Sequence, residues 1–241
     1  MSMVNAPYFI KFPVENRILA LIPKEEYVYI QPDLTPVRLP QGKVLWNAGD
    51  EIRYAYFPLS GMISLISMTE EGSSVEVGMI GSEGLAGIST ILRFENSPYQ
   101  AAVQIPTAAL RIKISALRRE FNRGGRLQDL LLRYTHALLT QVSQSASCNR
   151  FHTSEERLCR WLLIGRDRAE SDTLHLTQEF LAQMIGGPRT SVTAIAGKIQ
   201  RMGLIRYSRG KIHILDRHGL ENFSCECYKV ISAELSRYLA A

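Results

Sequence analysis

Three groups of side chains have types and spacings that could do chemistry. Arg189-Thr190-Ser191-Val192-Thr193 follows directly on Gly186-Gly187-Pro188. An arginine at the start of a helix can offer a bidentate fork to guanine O6 and N7, with Thr190 and Thr193 beside it for other base edges. Thr177, Gln178, Ser191, Lys198, Arg206, Arg209 and Lys211 lie around it and suit phosphate oxygens, which set register without reading sequence. The third group is sulfur and imidazole. Cys148 and His152 are four apart, one helical turn, and Cys225-Glu226-Cys227 lies near His218. Neither pair supplies the four ligands that close a tetrahedral zinc site, so an incidental or structural role is expected and no metal is assigned. Cys148, Cys159, Cys225 and Cys227 form no CxxC pair and are expected as free thiols.

Enzymatic motifs do not emerge. Neither GxSxG nor GxxxxGK[ST] occurs, and the Gly81, Gly84 and Gly87 spacing sits among short strands rather than in a βαβ unit. A non-enzymatic protein is therefore expected.

Charge placement points the same way as the Arg189 segment. The 241 residues carry a net charge of +5. Residues 1–120 hold 11 basic and 12 acidic groups, whereas residues 121–217 hold 15 against 8. Residues 188–217 alone carry seven basic groups and one acid, which suggests a polyanionic partner for that segment. With 46% hydrophobic and 21% charged residues the composition is globular. Without an apolar run of about 18 residues or a visible secretory signal, a cytoplasmic protein away from the membrane is expected.

Certain elements must hold these groups in place. From Val37 to Ile114, short apolar runs are cut by turn residues: Val44–Trp46, Tyr54–Phe57, Met62–Met68, Val75–Met79, Ala101–Ile105 and Leu110–Ile114. They predict a compact antiparallel roll, preceded by a short helical lead-in. After Gly124-Gly125, the stripe Leu127, Leu131, Tyr134, Leu138 and Val142 predicts a long helix that packs along one seam, on a second helix or on its own barrel. Leu158, Cys159, Trp161 and Leu162 face inward from a support helix, and Arg166–Thr173 reads as a charged loop. Thr177 would N-cap the helix Gln178–Ile185. Pro188 opens a second helix with Val192, Ile195, Ala196, Ile199 and Met202 inward, closed by Gly203. Two alternating strands around Ser208–Lys211 complete a winged helix-turn-helix.

This order resembles the Crp/Fnr family of bacterial transcription regulators over nearly the whole chain. The resemblance rests on Leu39-Pro40-Gln41-Gly42-Lys43-Val44-Leu45, Ala48-Gly49-Asp50 and Phe57-Pro58-Leu59-Ser60-Gly61. It continues in Val77-Gly78-Met79-Ile80-Gly81-Ser82-Glu83-Gly84, Arg157–Leu163 and Leu176–Ala182. It implies an α+β fold with three parts: an N-terminal antiparallel β-roll like a cyclic-nucleotide-binding jelly roll (1–115), a long dimerisation helix (116–150) and a C-terminal winged helix-turn-helix (151–241). It also implies a homodimer held by the long helix, a two-fold duplex DNA operator and contact with RNA polymerase.

The departures concern the effector. In nucleotide-binding members, a glycine-rich turn with an acid is followed by an Arg-Ser/Thr pair that neutralises the cyclic phosphate. Here the turn is Gly81-Ser82-Glu83-Gly84, but Tyr99-Gln100 replaces the pair and Arg93 is the only nearby cation in sequence. A phosphate buried there would be poorly compensated, so cyclic AMP and cyclic GMP are disfavoured. The alternatives are a nucleotide-responsive regulator with a non-standard pocket, or a ligand-binding module with a partner other than DNA. The N-terminal cysteine cluster of the family's iron–sulfur sensors is absent from the sequence.

Overall fold

The computed structural model describes residues 15–185 and 189–240. Helices α1 (Arg17–Ala20) and α2 (Lys24–Ile30) lead in. Buried Asn16 caps α1 and donates to Pro58 O and Gly84 O, tying the lead-in to the roll. The roll comprises β1 (Thr35–Leu39), β2 (Val44–Trp46), β3 (Tyr54–Pro58), β4 (Met62–Met68), β5 (Ser74–Ile80), β6 (Gln100–Ile105) and β7 (Thr107–Lys113). Two antiparallel sheets, ordered β1-β7-β3 and β2-β6-β4-β5, face each other. Ala55, Phe57, Ile63, Val103, Leu110 and Ile112 fill the space between them.

Strand β1 was not legible in the sequence. Pro36 breaks its pattern and lacks an N–H, which a strand tolerates at a sheet edge, where β1 lies against β7 alone. The β3–β4 turn requires glycine at position 61. Its φ is +62°, and a Cβ there would strike the Pro106 carbonyl.

Helix α3 (Ile114–Arg123) ends at Gly124 and Gly125, both with positive φ. Helix α4 (Arg126–Phe151) then runs for 26 residues, about 39 Å at the α-helical rise. Thr153 opens α5 (Ser154–Ala169) through a reciprocal capping box with Glu156. Arg166 and Arg168, expected in a loop, are therefore helical. The head continues with β8 (Thr173–His175), α6 (Gln178–Ile185), α7 (Arg189–Arg201), β9 (Ile205–Ser208) and β10 (Lys211–Ile214). Helices α8 (Arg217–Phe223) and α9 (Cys227–Leu239) end the chain.

A second core of Leu158, Trp161, Leu162, Phe180, Val192 and Ile212 holds the head together, and Met62 and Met79 of the roll belong to it. The head thus packs onto the β4–β5 face. Across that contact, Trp161 Nε1 donates to Glu76 Oε1 at 2.8 Å, and the Ser64 hydroxyl donates to the same carboxylate. Among the described residues, no helix is long and apolar enough to cross a membrane.

Candidate functional site

The α6–α7 pair and the β9–β10 hairpin bring most of the predicted contact residues to one region. Thr177 Oγ1 accepts from Phe180 N at 3.2 Å, so its hydroxyl caps α6. On α7, Val192, Ile195, Ala196 and Ile199 are buried, which leaves Thr190 and Thr193 exposed on the opposite face and Ser191 half-buried. The side chains of Gln178 and Arg189, and residues Gly186–Pro188, lie outside the described residues.

One expectation on α7 needs correction and another gains a partner. Met202 is exposed rather than inward, because the chain turns at Gly203 and Leu204 takes the buried position. Lys198 Nζ pairs with Glu155 Oε1 at 2.9 Å, so its charge straps α7 to α5 and is already partly compensated. The hairpin behaves as the alternation predicts. Arg206, Arg209 and Lys211 are exposed, with Ile205, Ile212 and Ile214 beneath them. Arg209 and Gly210, at φ 49° and 74°, form the two-residue turn between paired Ser208 and Lys211. Strand β8, unforeseen in the sequence, pairs with β10 and braces the wing from behind.

A helix-turn-helix with a braced wing is joined here to a two-sheet roll by a long helix. Residues 36–123 match a cyclic nucleotide-binding domain and residues 156–223 a Crp-like helix-turn-helix domain, together more than half of the chain. The chain belongs to the Crp/Fnr-type transcription regulators. It is 27% identical over 196 residues to the transcriptional regulator SdrP of Thermus thermophilus, covering 75% of this chain and 93% of that protein. It is 24% identical over 183 residues to the global nitrogen regulator of a Nostoc species, covering 72% and 82%. Among solved structures, FixK2 of Bradyrhizobium japonicum shares the fold with a TM-score of 0.66 at 15% identity, covering 80% of this chain and 98% of that one.

In this Crp/Fnr-type regulator the glycine-rich turn of the roll is already filled from within. Glu83 is buried and accepts from Gly81 N at 3.0 Å and from Arg168 Nε at 2.8 Å. Arg168 Nη2 in turn donates to Gln141 Oε1 at 2.9 Å. Tyr134 of α4 packs on Gly84 so closely that a Cβ would clash with its ring and hydroxyl. The Tyr238 hydroxyl donates to the Glu83 carbonyl. Gly81, Ser82, Glu83 and Gly84 thus face α4, α5 and α9. Arg93 is exposed on a separate loop in a left-handed conformation, and Gln100 donates to Asn47 Oδ1 at 3.0 Å. Tyr99 packs against the roll core. Among the described residues, no hydrogen bond joins Arg93, Tyr99 or Gln100 to the turn, so the predicted pocket set is not assembled. Arg168, the cation that does reach Glu83, lies 85 residues along the chain in what read as a loop.

The predicted seam on α4 is also corrected. Leu127, Leu131 and Tyr134 are buried in a core that the roll shares with Tyr238 of α9, Leu138 packs against it and Val142 is half-buried, so this stripe is covered largely from within the chain. Apart from Phe151 at its end, the large apolar groups that α4 exposes are Leu132 and Leu139, 50% and 63% exposed and seven residues apart, with Ala146 another seven on. One residue step rotates a helix by about 100°, which moves the exposed stripe from Leu131 to Leu132.

All four cysteines are free thiols, as expected, but three of them come together with a histidine, which the spacing did not foresee. Cys148 and His152, at the end of α4, meet Cys225 and Cys227, at the start of α9, and the four potential ligand atoms all lie within 4.8 Å of one another. His218 is exposed and takes no part. Sγ of Cys148 lies 3.5 Å from Sγ of Cys225, and Sγ of Cys227 lies 3.4 Å from His152 Nδ1. Cys159 sits apart in the head core, where burial pushes its thiol up to about 12 and leaves it inert.

Proposed function

We propose that this regulator binds a two-fold DNA operator as a homodimer in the cytoplasm, and that the phosphate turn of its roll does not take a cyclic nucleotide. The observation that carries the DNA reading is the exposed N-terminal face of α7 beside an exposed basic wing. Arg189, Thr190 and Thr193 would meet base edges in the major groove. Thr177, Gln178, Ser191, Arg206, Arg209 and Lys211 would meet phosphates, with Lys198 contributing only after release from Glu155.

The dimer reading rests on the Leu132–Leu139–Ala146 stripe of α4, whose spacing of seven suits a two-helix seam. Two heads related by that axis would present their α7 helices about 34–36 Å apart, one turn of DNA. Against a nucleotide effector stand the Glu83–Arg168 pair, which occupies the acid that would take the ribose hydroxyl, and Tyr134 on Gly84. Contact with RNA polymerase belongs to the same reading, and no catalytic step is assigned.

The test is a salt titration of binding to an operator selected from genomic DNA and to a scrambled duplex. Lys211→Ala should weaken binding to both and lower the magnitude of the salt slope by about one. Arg189→Ala should narrow the gap between them by roughly 1–3 kcal/mol. Unchanged discrimination in Arg189→Ala would show that this docking is wrong.

A further inference from the structure

We propose that Cys148, His152, Cys225 and Cys227 bind a zinc ion that fastens the C-terminal helix α9 to the end of the long helix α4.

The donor set is the first argument. Three thiols and one imidazole make a closed four-ligand site of the structural zinc type. At about 2.3 Å for Zn–S and 2.0–2.1 Å for Zn–N, the edges of a tetrahedron are about 3.8 Å between sulfurs and about 3.6 Å from sulfur to nitrogen. The observed 3.5 Å and 3.4 Å pairs, with every ligand atom within 4.8 Å of the others, match one ion at the centre.

The surroundings supply the second argument. The other ring nitrogen of His152 lies 3.2 Å from Glu226 Oε2, which aims Nδ1 at the sulfurs, as a carboxylate behind a metal-bound histidine does. Gln144 Nε2 donates to Cys227 Sγ at 3.1 Å, a bond that suits a thiolate acceptor.

Charge is the third. Binding releases the three thiol protons to solvent, and three thiolates around Zn²⁺ leave one net negative charge. Arg160, only 4% exposed, interacts electrostatically with Cys148, yet its Nε and Nη1 have no hydrogen-bond partner. A buried guanidinium with two orphaned donors is costly unless an anion lies close by. Arg160 also interacts with Glu76, and the metal-bound thiolates would be a second, permanent anion beside it.

The position gives the site a consequence. His152 is the C-cap of α4, and the next residue, Thr153, caps α5, the support helix of the DNA-binding head. Zinc would therefore hold the joint between the long helix and the head, with the loop before α9 as its second anchor.

The experiment uses the full-length protein, purified under reducing conditions from zinc-supplemented medium, with metals counted by inductively coupled plasma mass spectrometry. One equivalent of zinc per chain is expected. Replacement by Co²⁺ should give the visible bands of a tetrahedral thiolate site, and neither metal should remain in Cys225→Ser/Cys227→Ser. Because that variant could fail to fold, Glu226→Gln, on an exposed carboxylate, provides a second reading. It should weaken zinc binding roughly 10–100-fold in a chelator competition while leaving circular dichroism unchanged.

Several results would overturn the proposal. The reduced wild-type protein could hold no zinc and give no cobalt bands. The double cysteine variant could retain a full equivalent of zinc. The untreated protein could carry a Cys148–Cys225 disulfide by mass and still bind no metal after reduction.

Discussion

Replacing Glu76 by glutamine should make the protein more stable at pH 8 and leave it nearly unchanged at pH 4.5. Glu76 lies on β5, buried where the head meets the roll, and accepts from Trp161 and Ser64. Burial pushes its carboxyl from 4.5 up to about 7, against the opposing pull of the Ser64 hydrogen bond, the Arg160 charge and the Trp161 hydrogen bond. The folded state thus holds this proton more tightly than the unfolded chain does. Its contribution is fully present below about pH 4.5 and is lost as the pH rises toward 7, after which both states are ionised and the loss levels off. At about 1.4 kcal/mol for each tenfold change in proton affinity, the full loss is roughly 3 kcal/mol. Glutamine keeps the shape, can accept from Trp161 and can donate to Ser64, but never ionises. Urea unfolding at half-unit steps from pH 4.5 to 8, followed by Trp161 fluorescence in a Trp46→Phe background, measures the difference directly. The advantage of Glu76→Gln should grow through pH 5–7 and then plateau. Parallel stability curves for the two proteins would refute the account, because they would mean that Glu76 is charged in the folded protein across the whole range.

Leu139→Glu should halve the mass measured by light scattering while leaving the unfolding midpoint of the monomer within about 0.5 kcal/mol of its parent, since Leu139 is exposed. Leu131→Ala, one turn face away and fully buried, should instead cost roughly 2–5 kcal/mol of stability. A mass unaffected by the first change would remove α4 as the dimer seam. Gly84→Ala would force a methyl group into Tyr134, and differential scanning calorimetry should record a loss of roughly 1–3 kcal/mol. No loss would mean that α4 can move off the turn and that the filled pocket opens readily.

Local order was legible wherever the chain punctuates itself. The glycines between Gly42 and Gly87 separate strands because turns need positive φ, as Gly42, Gly49, Gly61 and Gly72 do. Thr177 and Gly203 bound their helices for equally local reasons, a hydroxyl acceptor and a left-handed residue. Strand β1 escaped because Pro36 removes the alternation that signals a strand. The last turn of α5 escaped because arginines resemble solvent-facing loop until a buried partner is known, and Arg168 finds Glu83 across 85 residues.

By itself the sequence determined the order of roll, long helix and winged head, and the concentration of positive charge on α7 and the wing. Both follow from short-range periodicity, turn chemistry and the count of ionisable groups, which are properties of neighbours along the chain. Tertiary structure alone decided which partner each buried face meets. A period of 3.6 reports that Leu127, Leu131 and Tyr134 are covered, but the covering surface is the roll together with the chain's own α9. The same limit applied to the sulfur ligands. Cys148 and Cys225 stand 77 residues apart and read as two incomplete pairs, and only the packing of α9 along α4 brings them, with His152 and Cys227, within reach of one ion.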